Sequence, residues 1–157
     1  MQILLVDNRF DSSTIIGDWL REFFGAVSLE SAASSAEALS AMPGRRPELV
    51  LATHRMPGLN GIALARIIKA GPNPPAVIVI GTGSDADFEM QCAAAGADFW
   101  LQERELQARL LAFLQQRFAR VWAEGVRERE RLARWMPATL GARARGAERR
   151  VATRRLS

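Results

Sequence analysis

Five short runs, four of them wholly apolar, alternate with stretches of helical periodicity, and this alternation limits the fold more than any other feature. The runs are Ile3–Val6, Val27–Leu29, Leu49–Ala52, Ala76–Ile80 and Phe99–Leu101. The four apolar runs do not alternate apolar with polar, which suits strands buried on both faces, whereas Ser28 interrupts Val27–Leu29. Parallel strands need crossovers, and helices supply them. Ser12 or Ser13 is placed to cap a helix reaching about Phe24, with Ile15, Ile16, Trp19, Leu20 and Phe23 on one face. Ser34-Ser35-Ala36-Glu37 has the form of a capping box ahead of Ala38, Leu39 and Met42. Gly61 opens a helix carrying Ile62, Leu64, Ile67 and Ile68, and Asp85–Ala95 reads as a helix closed by Gly96. A long helix starts near Glu103. The expected fold class is α/β: a doubly wound, five-stranded parallel sheet with an extended C-terminal helix.

In such a sheet the functional crevice lies beyond the carboxyl ends of the strands. The residues there are Asp7-Asn8, Thr53-His54-Arg55, Gly81-Thr82-Gly83 and Gln102-Glu103. One cysteine, Cys92, excludes an internal disulfide and a cysteine-based zinc site. One histidine, His54, leaves no second imidazole for a metal cluster or a Ser-His-Asp triad. The apolar runs are too short to span a bilayer, and the N-terminal run meets Asp7 too soon for a secretory segment. A cytoplasmic protein without membrane contact, metal or cofactor is the expectation.

Several stretches carry a family resemblance. LLVDN (4–8) with PELVLATHRMPGLNGIALARII (47–68), and PPAVIVIGTGS (74–84) with AAAGADFWLQE (93–103), resemble a response-regulator receiver domain over about residues 1–116. The Met56–Gly61 loop and the Ala95-Gly96-Ala97-Asp98 turn are the most specific parts. The resemblance implies a flavodoxin-like (CheY-like) fold that accepts a phosphoryl group from a histidine kinase on an aspartate ending the third strand. Position by position, that chemistry is missing. The acceptor position holds Thr53. The acidic pair after the first strand is Asp7 and Asn8. The switch hydroxyl position falls on Gly81, or on Thr82 one residue later. The family's lysine position holds Glu103, and the proline after it is Arg104. The switch aromatic is Trp100.

A hard divalent cation needs clustered oxygen anions, and Asp7 with the neutral oxygens of Asn8 and Thr53 supplies few. A threonine hydroxyl without an adjacent base is a poor nucleophile. Glu103 sets a negative charge where the family holds a cation. At ~4 Å and an effective dielectric of about 20 that reversal is unfavourable by several kcal/mol toward a phosphoryl group. These losses describe a pseudo-receiver that keeps the fold without phosphotransfer. His54 is expected to be a packing or surface residue, Cys92 a small buried hydrophobe, and Gly81-Thr82-Gly83 a turn.

Charge divides the chain. Residues 1–116 hold 9 Lys and Arg against 13 Asp and Glu, whereas residues 117–157 hold 12 Arg against 4 Glu. The expected organisation is a receiver-like domain over 1–116, a helical extension over 117–136 and a basic linker or tail over 137–157. From Glu103 the helical pattern runs to Met136, about 34 residues or ~50 Å if continuous. Leu111, Leu114, Phe118, Val121, Leu132 and Trp135 fall on an alternating 3-4 spacing, interrupted at Gly125 and Glu128. That seam suits a helix pair in a homodimer; the alternative is one amphipathic helix folding back on its own domain. Residues 128–157 also resemble the segment before a class III adenylate/guanylate cyclase domain, which implies a C-terminal output domain or a signalling partner protein. The rival use of the tail is nucleic-acid binding through Arg143, Arg145, Arg149, Arg150, Arg154 and Arg155. No aromatic residue follows Trp135 for base stacking.

Overall fold

The computed structural model describes residues 1–24, 27–82 and 86–135. Strands β1 (Gln2–Val6), β2 (Ser28–Ala32), β3 (Leu49–Thr53), β4 (Ala76–Gly81) and β5 (Phe99–Gln102) form one parallel sheet in the order β2-β1-β3-β4-β5. Helices α1 (Phe10–Phe24), α2 (Ser35–Arg45), α3 (Gly61–Lys69) and α4 (Phe88–Ala94) make the crossovers. The strand order reverses between β1 and β3, which opens the crevice above their carboxyl ends.

The two-residue strand period sorts the core into two layers. Leu4, Val6, Val50, Ala52, Val77 and Val79 meet Ala38 of α2, Ile62, Leu64, Ala65 and Ile68 of α3, and Phe88 and Cys92 of α4. Ile3, Leu5, Leu49, Leu51, Ile78 and Ile80 face the other way, toward Ile16 and Leu20 of α1 and Leu110 and Leu114 near the C-terminal end. The chain is therefore a doubly wound, flavodoxin-like domain.

Several boundaries differ from the sequence reading. The first helix begins at Phe10, ahead of both serines. Ile15 is 65% exposed, because Ile16 and Leu20, four residues apart, already take the sheet-facing positions. Ile67 is likewise exposed on α3. The second strand starts at Ser28 and extends to Ala32, since pairing continues along all of β1. The fourth helix is shorter than Asp85–Ala95. The Ser34 box is only half of the usual form. Ser34 Oγ accepts from the Glu37 amide at 3.2 Å, but the Glu37 carboxylate accepts from the Ala33 amide at 2.8 Å.

The largest departure follows β5. Instead of one helix, the chain makes a 3-10 turn at Glu103–Glu105, a π turn at Leu106–Leu110, helix α5 (Leu111–Arg117) and helix α6 (Ala119–Trp135). Phe118 separates the last two with φ −121° and ψ 41°. Helix α6 folds back against α1. Among the described residues no helix is long and apolar enough to cross a membrane.

Candidate functional site at the carboxyl edge of the sheet

β1 delivers Asp7 and β3 delivers Thr53 to the crevice, and both are buried, at 5% and 2% exposure. Glu103 arrives from the turn after β5. These three line one cavity of about 120 Å³ with Arg9. Gly81, Thr82 and Glu103 line a neighbouring hollow of about 380 Å³ with Gln102 and Arg104. Asn8 is exposed. The strand ends thus gather Asp7, Thr53, Gly81, Thr82 and Glu103 into one region, with Glu103 shared between the two spaces.

The dominant group is Arg9, a residue the sequence reading passed over. Its backbone N–H donates to Asp7 Oδ1 at 2.9 Å. Its guanidinium stands 3.6 Å from the same oxygen through Nε, while Nη2 donates to Glu103 Oε1 at 2.9 Å. The hydrogen bond to Glu103, with the nearby charges of Asp7 and Glu103, holds the guanidinium above its ordinary value despite partial burial. One cation therefore bridges two carboxylates from opposite sides of the crevice. The signal was present in the sequence as a complementary pair: an acid at 103 and a base two residues beyond the strand-end acid.

This donor set does not suit a hard divalent cation. Among the described residues Asp7 is the one buried carboxylate, one of its oxygens already carries Arg9, and Thr53 offers only a neutral hydroxyl. Among the described residues no cluster of three metal-ligating side chains occurs.

The surroundings fix this arrangement. At Gly81 a Cβ would sit 2.9 Å from Phe88 Cζ and 3.0 Å from the Gln102 carboxamide, so larger side chains fill the space beside that position. At Gly61 a Cβ would lie 2.5 Å from the Thr53 carbonyl oxygen, and the Gly61 amide donates to the His54 carbonyl at 3.1 Å. The helix can approach the strand end only because that residue has no side chain. Asn60 caps α3 by accepting from the Ala63 amide at 2.9 Å, and Ser35 Oγ donates to the Leu59 carbonyl at 2.8 Å, pinning the loop. His54 is half-buried, its ring 5.4 Å from that of Phe88. Cys92 is fully buried, and desolvation pushes its thiol up to about 12. Trp100 is half-buried against the α2–α4 layer.

After β5, the Gln102 amide donates to Glu105 Oε2 at 3.1 Å, and the Glu105 amide donates back to the Gln102 side chain. The hydrogen bond from the Gln102 backbone, aided by that from Arg109, lowers the Glu105 carboxyl. The seam residues divide. Leu114 is fully buried in the domain's own core, and Leu111 and Phe118 pack against the same cluster, because α5 has to cover the sheet. The side chains of Val121, Leu132 and Trp135 lie outside the described residues, as do Met136 and the whole 137–157 tail.

The receiver-domain family pattern, described as "Response regulator receiver domain", matches residues 3–115. The chain belongs to the response-regulator receiver family. This receiver domain is 29% identical over 120 residues to the transcriptional regulatory protein PrrA of Mycobacterium bovis, covering 74% of this chain and 51% of that protein. It is 25% identical over 135 residues to the cyclic di-GMP phosphodiesterase response regulator RpfG of Xanthomonas campestris, covering 82% of this chain and 35% of that one. The chain thus spans about half the length of the first relative and about a third of the second. The signal receiver domain of a DNA-binding response regulator from Colwellia psychrerythraea superposes with a TM-score of 0.69 at 19% identity, covering 76% of this chain and 98% of that one. A response-regulator receiver is a signalling module of two-component systems, and this chain has the family's fold.

Proposed function

We propose that this receiver domain is a pseudo-receiver: a non-catalytic signalling module that works without phosphotransfer and relays its signal through its last helix. The observation that carries this reading is Arg9, which joins Asp7 to Glu103 at the cavity that Thr53 also lines. A cation of the chain itself pairs with both carboxylates of the pocket and links the β1 loop to the β5 loop. No labile group is needed to hold those loops together. A threonine hydroxyl is a weak nucleophile, and its phosphate ester would lack the lability of an acyl phosphate.

The relay would pass from residues 1–116 through the 117–136 extension to an output domain or a signalling partner. The matched part of PrrA and of RpfG is likewise only a portion of each protein. A nucleotide cyclase is the output suggested by the tail. Homodimerisation through Val121, Leu132 and Trp135 is the proposed mode of association. The test is incubation with an acyl phosphate donor and Mg²⁺ followed by intact-mass measurement. The expected result is an unchanged mass. A stable gain of one phosphoryl group in both wild type and Thr53→Ala would refute the reading by revealing another acceptor; a gain lost on substitution would make Thr53 the acceptor.

The excess of arginine after residue 116 supports a second reading, nucleic-acid binding through the tail. It requires salt-dependent affinity for duplex DNA that disappears on truncation after Met136. Absence of binding at low salt removes it.

A further inference from the structure

The bend at Phe118 has no cause in the local sequence. Kinks ordinarily mark proline, glycine pairs or inserted groups. The stretch Gln115-Gln116-Arg117-Phe118-Ala119-Arg120 contains none of these, and its residues range from fair to good helix formers. What holds the bend is tertiary contact. Phe118 is half-buried against the cluster of Leu110 and Leu114, and the Arg117 guanidinium lies 5.6 Å above its ring. Helix α6 rests on α1, with Ala123 and Val126 half-buried. Local preference and tertiary packing therefore oppose each other at one residue, a conflict of the kind expected at functional or strained sites. The π turn at Leu106–Leu110, just upstream, is a second irregularity of the kind that accompanies functional helices.

We propose that Phe118 is a hinge and that α6 is a strap with two seats, folded back on α1 or continued from α5 as one straight helix. Straightening takes Phe118 from ψ 41° to about −42° and restores the backbone hydrogen bonds interrupted at the break. The product is a helix of 25 residues, Leu111–Trp135, about 37 Å long. The α5 half keeps Leu114 in the core, while α6 uncovers α1 and carries its far end away from the domain. This deepens the relay reading, on which it rests, by naming the moving part.

The test is a distance measurement between nitroxide labels at Asp18→Cys on α1 and Glu130→Cys on α6, in a chain diluted with unlabelled protein. Both positions are exposed, and the native Cys92 is buried. In the otherwise unaltered chain a short distance dominates, with a minor long component. Phe118→Ala and Phe118→Gly both remove the ring that anchors the bend, but alanine favours a helical residue 118 by about 1 kcal/mol, so the long-to-short ratio is about fivefold larger in the alanine variant. Equal ratios in the two variants, or one unchanged distance in every sample, overturn the proposal. Should the Phe118 variants fail to give a cooperative thermal melt, Arg120→Gly leaves the core intact. This exposed site lies in the first turn of the bent α6 and in the interior of the straight helix, so the glycine lowers the minor component by up to about fivefold. Its retention at the wild-type level overturns the proposal too. The mass measurement reads the pocket and the label distance reads the helix, so failure of one is distinguishable from failure of the other.

Discussion

Replacing Arg9 with methionine removes the cation from the crevice and leaves the Asp7 carboxylate buried beside a neutral chain. The attraction between unit charges 3.6 Å apart is about 4–5 kcal/mol at an effective dielectric of about 20. Arg9 is 47% exposed, so screening and its own desolvation reduce the net loss to about 1–2 kcal/mol. The pair with Glu103, exposed by nearly half on both sides, adds under ~1 kcal/mol. Arg9→Met is therefore expected to cost about 2 kcal/mol in urea unfolding followed by far-ultraviolet dichroism. Asp7→Asn removes the stranded charge, so the double variant costs less than the sum of the singles, with a coupling of about 1–2 kcal/mol. The single Arg9→Met variant also leaves Asp7 and Glu103 with no cation between them. Millimolar Mg²⁺ should then raise its unfolding midpoint by mass action and leave the wild-type midpoint unchanged. Strict additivity, or an equal Mg²⁺ response in the wild type, would refute the view that Arg9 occupies the acid pocket.

Gly61→Ala is expected to destabilise by about 3 kcal/mol or more, measured by the same unfolding, since its Cβ would meet the Thr53 carbonyl at 2.5 Å and neither backbone can yield easily. The Glu105 carboxyl is lowered from an ordinary 4.5, so its contribution to stability is complete above that value and is lost as pH falls through the folded-state value. The gap in melting temperature between wild type and Glu105→Gln should accordingly be present at neutral pH and close in acid. Cys92, with its thiol pushed up to about 12, should resist alkylation at pH 8 in the folded chain and react fully in urea, as intact mass will report.

The sequence by itself determined the layers of this protein. Four of the five strands carried an unbroken apolar run, each crossover carried a helical stripe, and Gly61 and Gly96 stood where the backbone needed them. Those signals are local, because burial on two faces writes itself into consecutive residues. The strand-end rule also places Asp7, Thr53, Gly81 and Glu103 at one edge from sequence alone. Tertiary structure decided the rest. Arg9 lies 94 residues from Glu103, and no periodicity shows that a charge placed after the first strand answers one placed after the fifth. The last helix followed the same logic: its residues favour an unbroken rod, and only the side of the sheet that Leu114 must cover, together with the face that α1 offers to α6, turns it back at Phe118.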